Sequence, residues 1–203
     1  MLFGTIRIIL GFFIFAAFLF IVKVSKTNRK RRFYMISLVL AILCSTLSFL
    51  FPFENAFVTF STPESAFSYT NSGDIKLIID GSKTNFVVAE EGDISIYSII
   101  PKTEKGWKLG VGFDTKNLIQ KVWNGVVIYV YQYKNIDDYY ITVLNTNGGP
   151  LEIADNCNSK FFYLSVSDEY LNEIFYTYCA YIQKMDNQYS LTVNGQSFSL
   201  TNE

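Results

Sequence analysis

Glu104, Asp114, Asp137 and Asp138 are the side chains from which an active site could be assembled, because glycoside hydrolysis needs only two carboxyl groups held at a controlled separation across a sugar bond. Little else in the chain offers reaction chemistry. There is no histidine, which removes the common general base near neutral pH, the usual imidazole metal ligand and every Ser-His or Cys-His nucleophile pair. Beyond residue 53 there is no S-x-x-K or G-x-S-x-G, and phosphate-loop and dinucleotide fingerprints are also missing. The acidic clusters Glu90-Glu91-Gly92-Asp93 and Asp137-Asp138 lack the spacing that wraps oxygen ligands around calcium, and they read as strand-connecting turns. No cofactor and no metal is expected.

Two further sets of side chains have chemical potential. Cys157 and Cys179 are candidates for one disulfide in an oxidising compartment, where closing a loop of about 20 residues contributes ~3 kcal/mol; alternatively Cys179 simply packs in an apolar strand. Tyr129, Tyr131 and Tyr133 alternate with Ile128 and Val130, so their rings share one face of a strand. Such a ribbon can stack on sugar, grip a peptide or fill a core, and packing is the ordinary role of tyrosine in strands. The same holds for Tyr163, Tyr176, Tyr178 and Tyr181, while Trp107 and Trp123 are expected to cover a sheet or its corner.

The elements that position these groups follow from local chemistry. Ser61-Thr62-Pro63-Glu64 provides a capping hydroxyl, proline at the first helical position and an acid in the first turn, which predicts a short helix to about Asn71. From Ile75 onward β-branched and aromatic runs are punctuated by turn residues, which predicts strands over 75–79, 86–89, 94–100, 139–144, 161–166 and 174–183. Asn124-Gly125 predicts a two-residue hairpin over 118–133, and Asn194-Gly195 a final one after 189–193. The 171–182 segment also satisfies helical spacing, with Ser167 as its cap; its Phe-Tyr-Thr-Tyr-Cys content favours a strand, with a helical turn kept open for 168–173.

Residues 1–53 have a different character. Two apolar runs, 2–24 and 33–53, flank a basic turn, 23–32, in which Lys23, Lys26, Arg29, Lys30, Arg31 and Arg32 supply six of the 17 basic residues. This pattern predicts a two-helix transmembrane hairpin with the turn in the cytosol and both termini extracytoplasmic. Binding of the turn to anionic lipid, or a nuclear-type signal, is less economical. Arg7 is expected to snorkel to the headgroups, because residues 1–53 contain no acid to pair with it. A signal sequence is disfavoured by the length of the second run, and Cys44 by its context is a lipid- or helix-facing residue in preference to an acylation site. Gly4, Gly11, Ala16 and Ala17 make no clean dimerisation seam, which leaves the oligomeric state open.

All 18 acidic residues lie beyond residue 53 with only ten of the basic ones, a formal charge of −8 that disfavours nucleic acid. The sequence therefore predicts a membrane-anchored α+β protein: a hairpin over 1–53, a short connector over 54–61, and a β-dominated, mostly antiparallel extracytoplasmic domain over 62–203 opened by the short helix. The expected function is binding or sensing, accessory to another envelope protein or a cell-wall component, in contact with membrane lipid. A carboxylate-dependent membrane hydrolase and a structural subunit of a membrane complex are the alternatives.

Overall fold

A computed structural model describes residues 2–24, 30–50, 52–92, 94–110, 114–168, 173–185 and 188–200. The chain is α+β. Helices α1 (Leu2–Val24) and α2 (Lys30–Leu50) come first, then a 3-10 turn over Phe53–Ala56 and the short helix α3 (Pro63–Thr70). Among the described residues twelve strands follow, in three antiparallel sheets. The first sheet has the order β1 (Asp74–Asp80), β2 (Thr84–Glu91), β3 (Ile94–Thr103), β4 (Gly106–Trp107). The second runs β5 (Thr115–Trp123), β6 (Val126–Tyr133), β7 (Asp138–Asn145), β10 (Glu173–Gln183), β9 (Phe162–Asp168), and the third β12 (Gln196–Ser199), β11 (Ser190–Val193), β8 (Ile153–Asp155).

Three apolar layers hold these parts together. Ala66 and Phe67 of α3 pack on Val87, Ala89 and Ile100 of the first sheet. The opposite face of that sheet, with Phe86, Val88 and Ile99, meets Tyr140 and Cys179 of the second. The other face of the second sheet, with Ile128, Val130, Ile141 and Tyr178, closes on Leu191 and Val193 of the third. Strand β2 is covered on both faces, so its Phe-Val-Val-Ala run is continuously apolar, without the alternation of a half-exposed strand.

The locally encoded elements form as expected. Thr62 caps α3: its hydroxyl accepts from the Ser65 amide at 3.2 Å, and the Ser65 hydroxyl accepts in return from the Thr62 amide. Asn124 and Gly125 have φ of 43° and 73°, and Asn194 and Gly195 have 47° and 79°, the doubly left-handed pattern of type I′ hairpins. Segment 173–183 is a strand; residues 169–172, most of the stretch left open for a helical turn, lie outside the described residues. Strands β4 and β8, two and three residues long, are too short to carry a periodic signal.

The N-terminal part departs from expectation in three respects. Helix α2 starts at Lys30 and stops at Leu50, not over 33–53: lysine and arginine are good helix formers, and Pro52 cannot donate a helical hydrogen bond. Consequently Lys30, Arg31 and Arg32 sit in the first turn of α2 and Lys23 in the last turn of α1, while Lys26 and Arg29 lie outside the described residues. Second, the described apolar part of α2, Arg32–Leu47, is short, so among the described residues only Gly4–Val24, with mean hydropathy 2.6, is both long and apolar enough to cross a bilayer. Third, Arg7 does not reach outward. It is fully buried, ion-paired with Glu54, and stacked 4.1 Å from the Phe53 ring centroid. Glu54 falls one residue beyond the apolar run, and the 3-10 turn folds it back onto α1.

Helices α1 and α2 pack against each other. The less exposed positions of α1, residues 4, 6, 7, 10, 11, 14, 15, 18 and 22, centre on one face at helical spacing, and those of α2 fall at 37, 41, 44 and 45. Gly11 backs onto Ser45, whose Oγ would lie 3.0 Å from an added Cβ. The remaining surface is apolar: Phe12, Phe13, Phe20, Met35 and Val39 are each at least 60% exposed.

The 54–61 stretch is a fastened strap. Asn55 bonds the Leu109 backbone in both directions, at 2.8 and 2.9 Å, and the Lys108 ammonium donates to the Asn55 and Val58 carbonyls at 2.7 Å. Phe60 then bridges Trp107 through paired backbone bonds of 2.9 and 3.0 Å.

Candidate binding cleft

The four acids occupy four different environments. Glu104 is exposed in the turn between β3 and β4, and Asp137 is exposed just before β7. Asp114 pairs with the Lys134 ammonium at 3.0 Å and accepts from the Tyr133 hydroxyl at 3.1 Å. Asp138, read from sequence as part of a turn, is the first residue of β7 and is fully buried.

Asp138 is surrounded by donors. One carboxylate oxygen accepts from the Ser82 amide (3.3 Å), the Ser82 hydroxyl (2.6 Å) and the Tyr181 hydroxyl (2.9 Å); the other accepts from the Lys83 amide (2.7 Å) and the Thr84 hydroxyl (2.9 Å). Burial alone would raise its pKa, but the bonds from Ser82, Lys83, Thr84 and Tyr181 outweigh burial and hold the carboxyl below its ordinary value. With both oxygens occupied, this acid ties the β1–β2 turn to β7 and β10; a general acid would need the opposite environment, one that raises its pKa.

The tyrosine ribbon is split by the fold. Tyr133 is buried, whereas Tyr129 and Tyr131 are half-buried and open a row of rings that continues through Tyr97, Phe86 and Tyr140 to Tyr181. Successive centroids lie 5.9, 6.1, 5.9, 5.0 and 5.6 Å apart, within the range of favourable aromatic pairs. Burial pushes the Tyr131 hydroxyl up to about 12 and raises those of Tyr97 and Tyr140, so these groups stay protonated as neutral donors.

Near the open end of this row, Tyr97 and Ser98 of β3, Thr115 and Asn117 of β5 and the Tyr131 ring enclose a cleft of about 250 Å³. Strand β5 is an edge strand, displaced by a register shift between Asn117 and Ile119. The described lining offers ring faces, hydroxyls and a carboxamide, with no carboxylate and no ammonium. That set can hold a neutral ligand by stacking and hydrogen bonding, and it supplies no group for proton transfer near neutral pH. Tyr129 and Tyr131 were legible as one face of a strand; Tyr97 and Asn117 come from separate strands, and only the fold brings them together.

The two outer cysteines lie apart. Cys179 is fully buried between the first and second sheets, where burial pushes its thiol up to about 12, and Cys157 is exposed in the turn after β8 of the third sheet. No disulfide joins them. Cys44 is half-buried in α2. Trp123 packs edge-on against Phe198 at 5.5 Å and Trp107 donates its indole N–H to Asn85 at 2.9 Å, each partly buried against a core layer. Among the described residues no three acid or cysteine side chains cluster to hold a metal.

No protein-family model, no curated protein and no solved structure matches this chain.

Proposed function

We propose that the protein is an integral membrane protein whose α1–α2 hairpin spans the bilayer twice and holds the acidic sheet domain outside the cell, as a binding or sensing module accessory to another envelope component. The observation that carries this reading is the continuous apolar surface of the hairpin. Phenylalanines exposed at 70% or more on a helix pair are costly in water and favourable in lipid. Gly4–Val24 corresponds to about 32 Å of helix, close to the ~30 Å hydrocarbon layer, and the shorter apolar stretch Arg32–Leu47 to about 24 Å, so the second pass would also need the flanking turns of α2. The basic groups at the junction of the helices favour the cytoplasmic side. The strap over 54–61 and the Arg7–Glu54 pair hold the sheet domain close to the bilayer, and the uncharged cleft between β3 and β5 is the binding face.

Cys157 provides the test, since Cys44 sits in the hairpin and Cys179 is buried. A membrane-impermeant maleimide is expected to label intact cells at Cys157 and to lose that signal in Cys157→Ser. Labelling that requires lysis would place the sheet domain inside and end the proposal. A photo-crosslinker at Asn117 should then capture a heterologous envelope partner; products formed only with other copies of this chain would favour a structural subunit.

A further inference from the structure

A second cleft lies on the solvent side of the Asp138 cage, with a volume of about 390 Å³ and a lining of Ser82, Lys83, Asp137, Gln183 and Lys184. Its lysines differ from the rest. Beyond residue 53 the chain has ten basic residues, all lysine. Seven of their ammonium groups are engaged: Lys76 and Lys134 by acids, Lys108 and Lys121 by carbonyls, Lys116 by Asn135, and Lys102 and Lys160 by aromatic rings. Among the described residues Lys83 and Lys184 meet no such partner, and both border this one cleft; Lys105, the third, lies in the β3–β4 turn. The cleft is lined by two ammonium groups and one carboxylate, and the Asp138 carboxylate beneath it is already engaged by the donors of its cage.

The backbone here is also held in place. Lys184 has φ of 70°, in the left-handed region that favours glycine, and its amide donates to the Asp137 carbonyl at 3.0 Å. Opposite, the Ser82 and Lys83 amides are committed to Asp138, which fixes the turn bearing the Lys83 side chain. Both lysines therefore stem from anchored backbone, with exposed side chains at the mouth of the cleft. The Gln183 carboxamide adds a neutral donor and the exposed Asp137 carboxylate an acceptor.

We propose that this cleft binds the phosphate group of a hydroxyl-bearing ligand, with Lys83 and Lys184 on the phosphate oxygens, Gln183 donating beside them, and Asp137 accepting from a ligand hydroxyl. Two point charges suit a group carrying up to two negative charges, and the acid selects against phosphate that lacks a neighbouring donor. The same chemistry is found in a soluble polyol phosphate and in a glycerophosphate lipid headgroup. The site stands apart from the aromatic cleft and requires no particular membrane topology.

The experiment uses the full chain in phosphatidylcholine nanodiscs, titrated calorimetrically with glycerol 3-phosphate, inorganic phosphate and glycerol, and in parallel with phosphatidylglycerol vesicles. Saturable binding of glycerol 3-phosphate, weaker binding of inorganic phosphate and none of glycerol are expected. Binding confined to the phosphatidylglycerol vesicles would assign the site to lipid. In either case Lys83→Gln combined with Lys184→Gly should weaken binding at least tenfold, and Lys105→Gln should leave it unchanged. Lys184→Gly removes the charge at a backbone position that glycine prefers, so an unaltered melting temperature separates loss of the site from loss of the fold. Absence of saturable binding to either phosphate source, or binding indifferent to the double variant, overturns the proposal.

Discussion

Glu54 and Asp138 are both withdrawn from water, and they are compensated in different ways. Glu54 faces a full opposite charge, the buried Arg7 guanidinium, with the Tyr69 hydroxyl donating at 3.0 Å. Asp138 faces no cation among its hydrogen-bond partners and rests on five donors from one turn and one strand. A charge pair fastens two elements through single side chains on each and leaves a charge stranded when either is lost. A donor cage spreads the load over several groups and leaves only neutral ones behind. The lesson is that the joint between helix and sheet domain is the more brittle of the two.

The sharpest way to break the comparison is to remove one charge. Glu54→Ala should cost about 3–5 kcal/mol, because Arg7 stays buried without its carboxylate. Arg7→Met with Glu54→Leu should recover most of that loss, and thermal unfolding in detergent would show both. Asp138→Ala comes next at about 2–4 kcal/mol, with Asp138→Asn milder because it keeps one acceptor oxygen; urea unfolding followed through Trp107 and Trp123 measures it.

The cage also has an acid signature. The folded protein holds the Asp138 pKa below its unfolded value, so its contribution is complete above that unfolded value, near pH 4, and is lost as pH falls through the lower folded value. Asp138→Asn should therefore flatten the acid limb of the stability profile, whereas an unchanged limb would mean that other carboxylates set it. The smallest effects belong to single neutral bonds. Tyr69→Phe and Thr62→Ala should each cost about 1 kcal/mol, the first loosening the Glu54 end of the joint and the second fraying α3.

What could be read in advance was local. Asn-Gly pairs dictate left-handed turns through their own backbone preferences, and Thr62-Pro63 sets a helix start within one turn, so both hairpins and α3 were legible. The end of α2 was legible too, in Pro52, but the evenly apolar run around it masked the stop. Contacts distant in sequence were not legible. Asp138 looks like a turn acid because its five donors come from Ser82 to Thr84 and Tyr181, on strands that only the fold brings together. Arg7 looked unpartnered because Glu54 is 47 residues away. The cleft between β3 and β5 has the same origin, since no spacing in the chain relates Tyr97 to Asn117.

The outermost strand of the first sheet carries a small irregularity with a large consequence. Between Ile75 and Leu77 the pairing of β1 with β2 slips by one residue, and the extra residue is Lys76, salt-bridged to Glu90 at 3.3 Å. The slip places Ile75 and Ile78 toward α3 while Leu77 and Ile79 turn to the second sheet. It also leaves the free margin of the sheet bent and charged, a poor template for a strand from a neighbouring molecule. Such a margin keeps the sheets of neighbouring copies from pairing edge to edge. Straightening that margin by deleting Lys76 should make the purified chain self-associate.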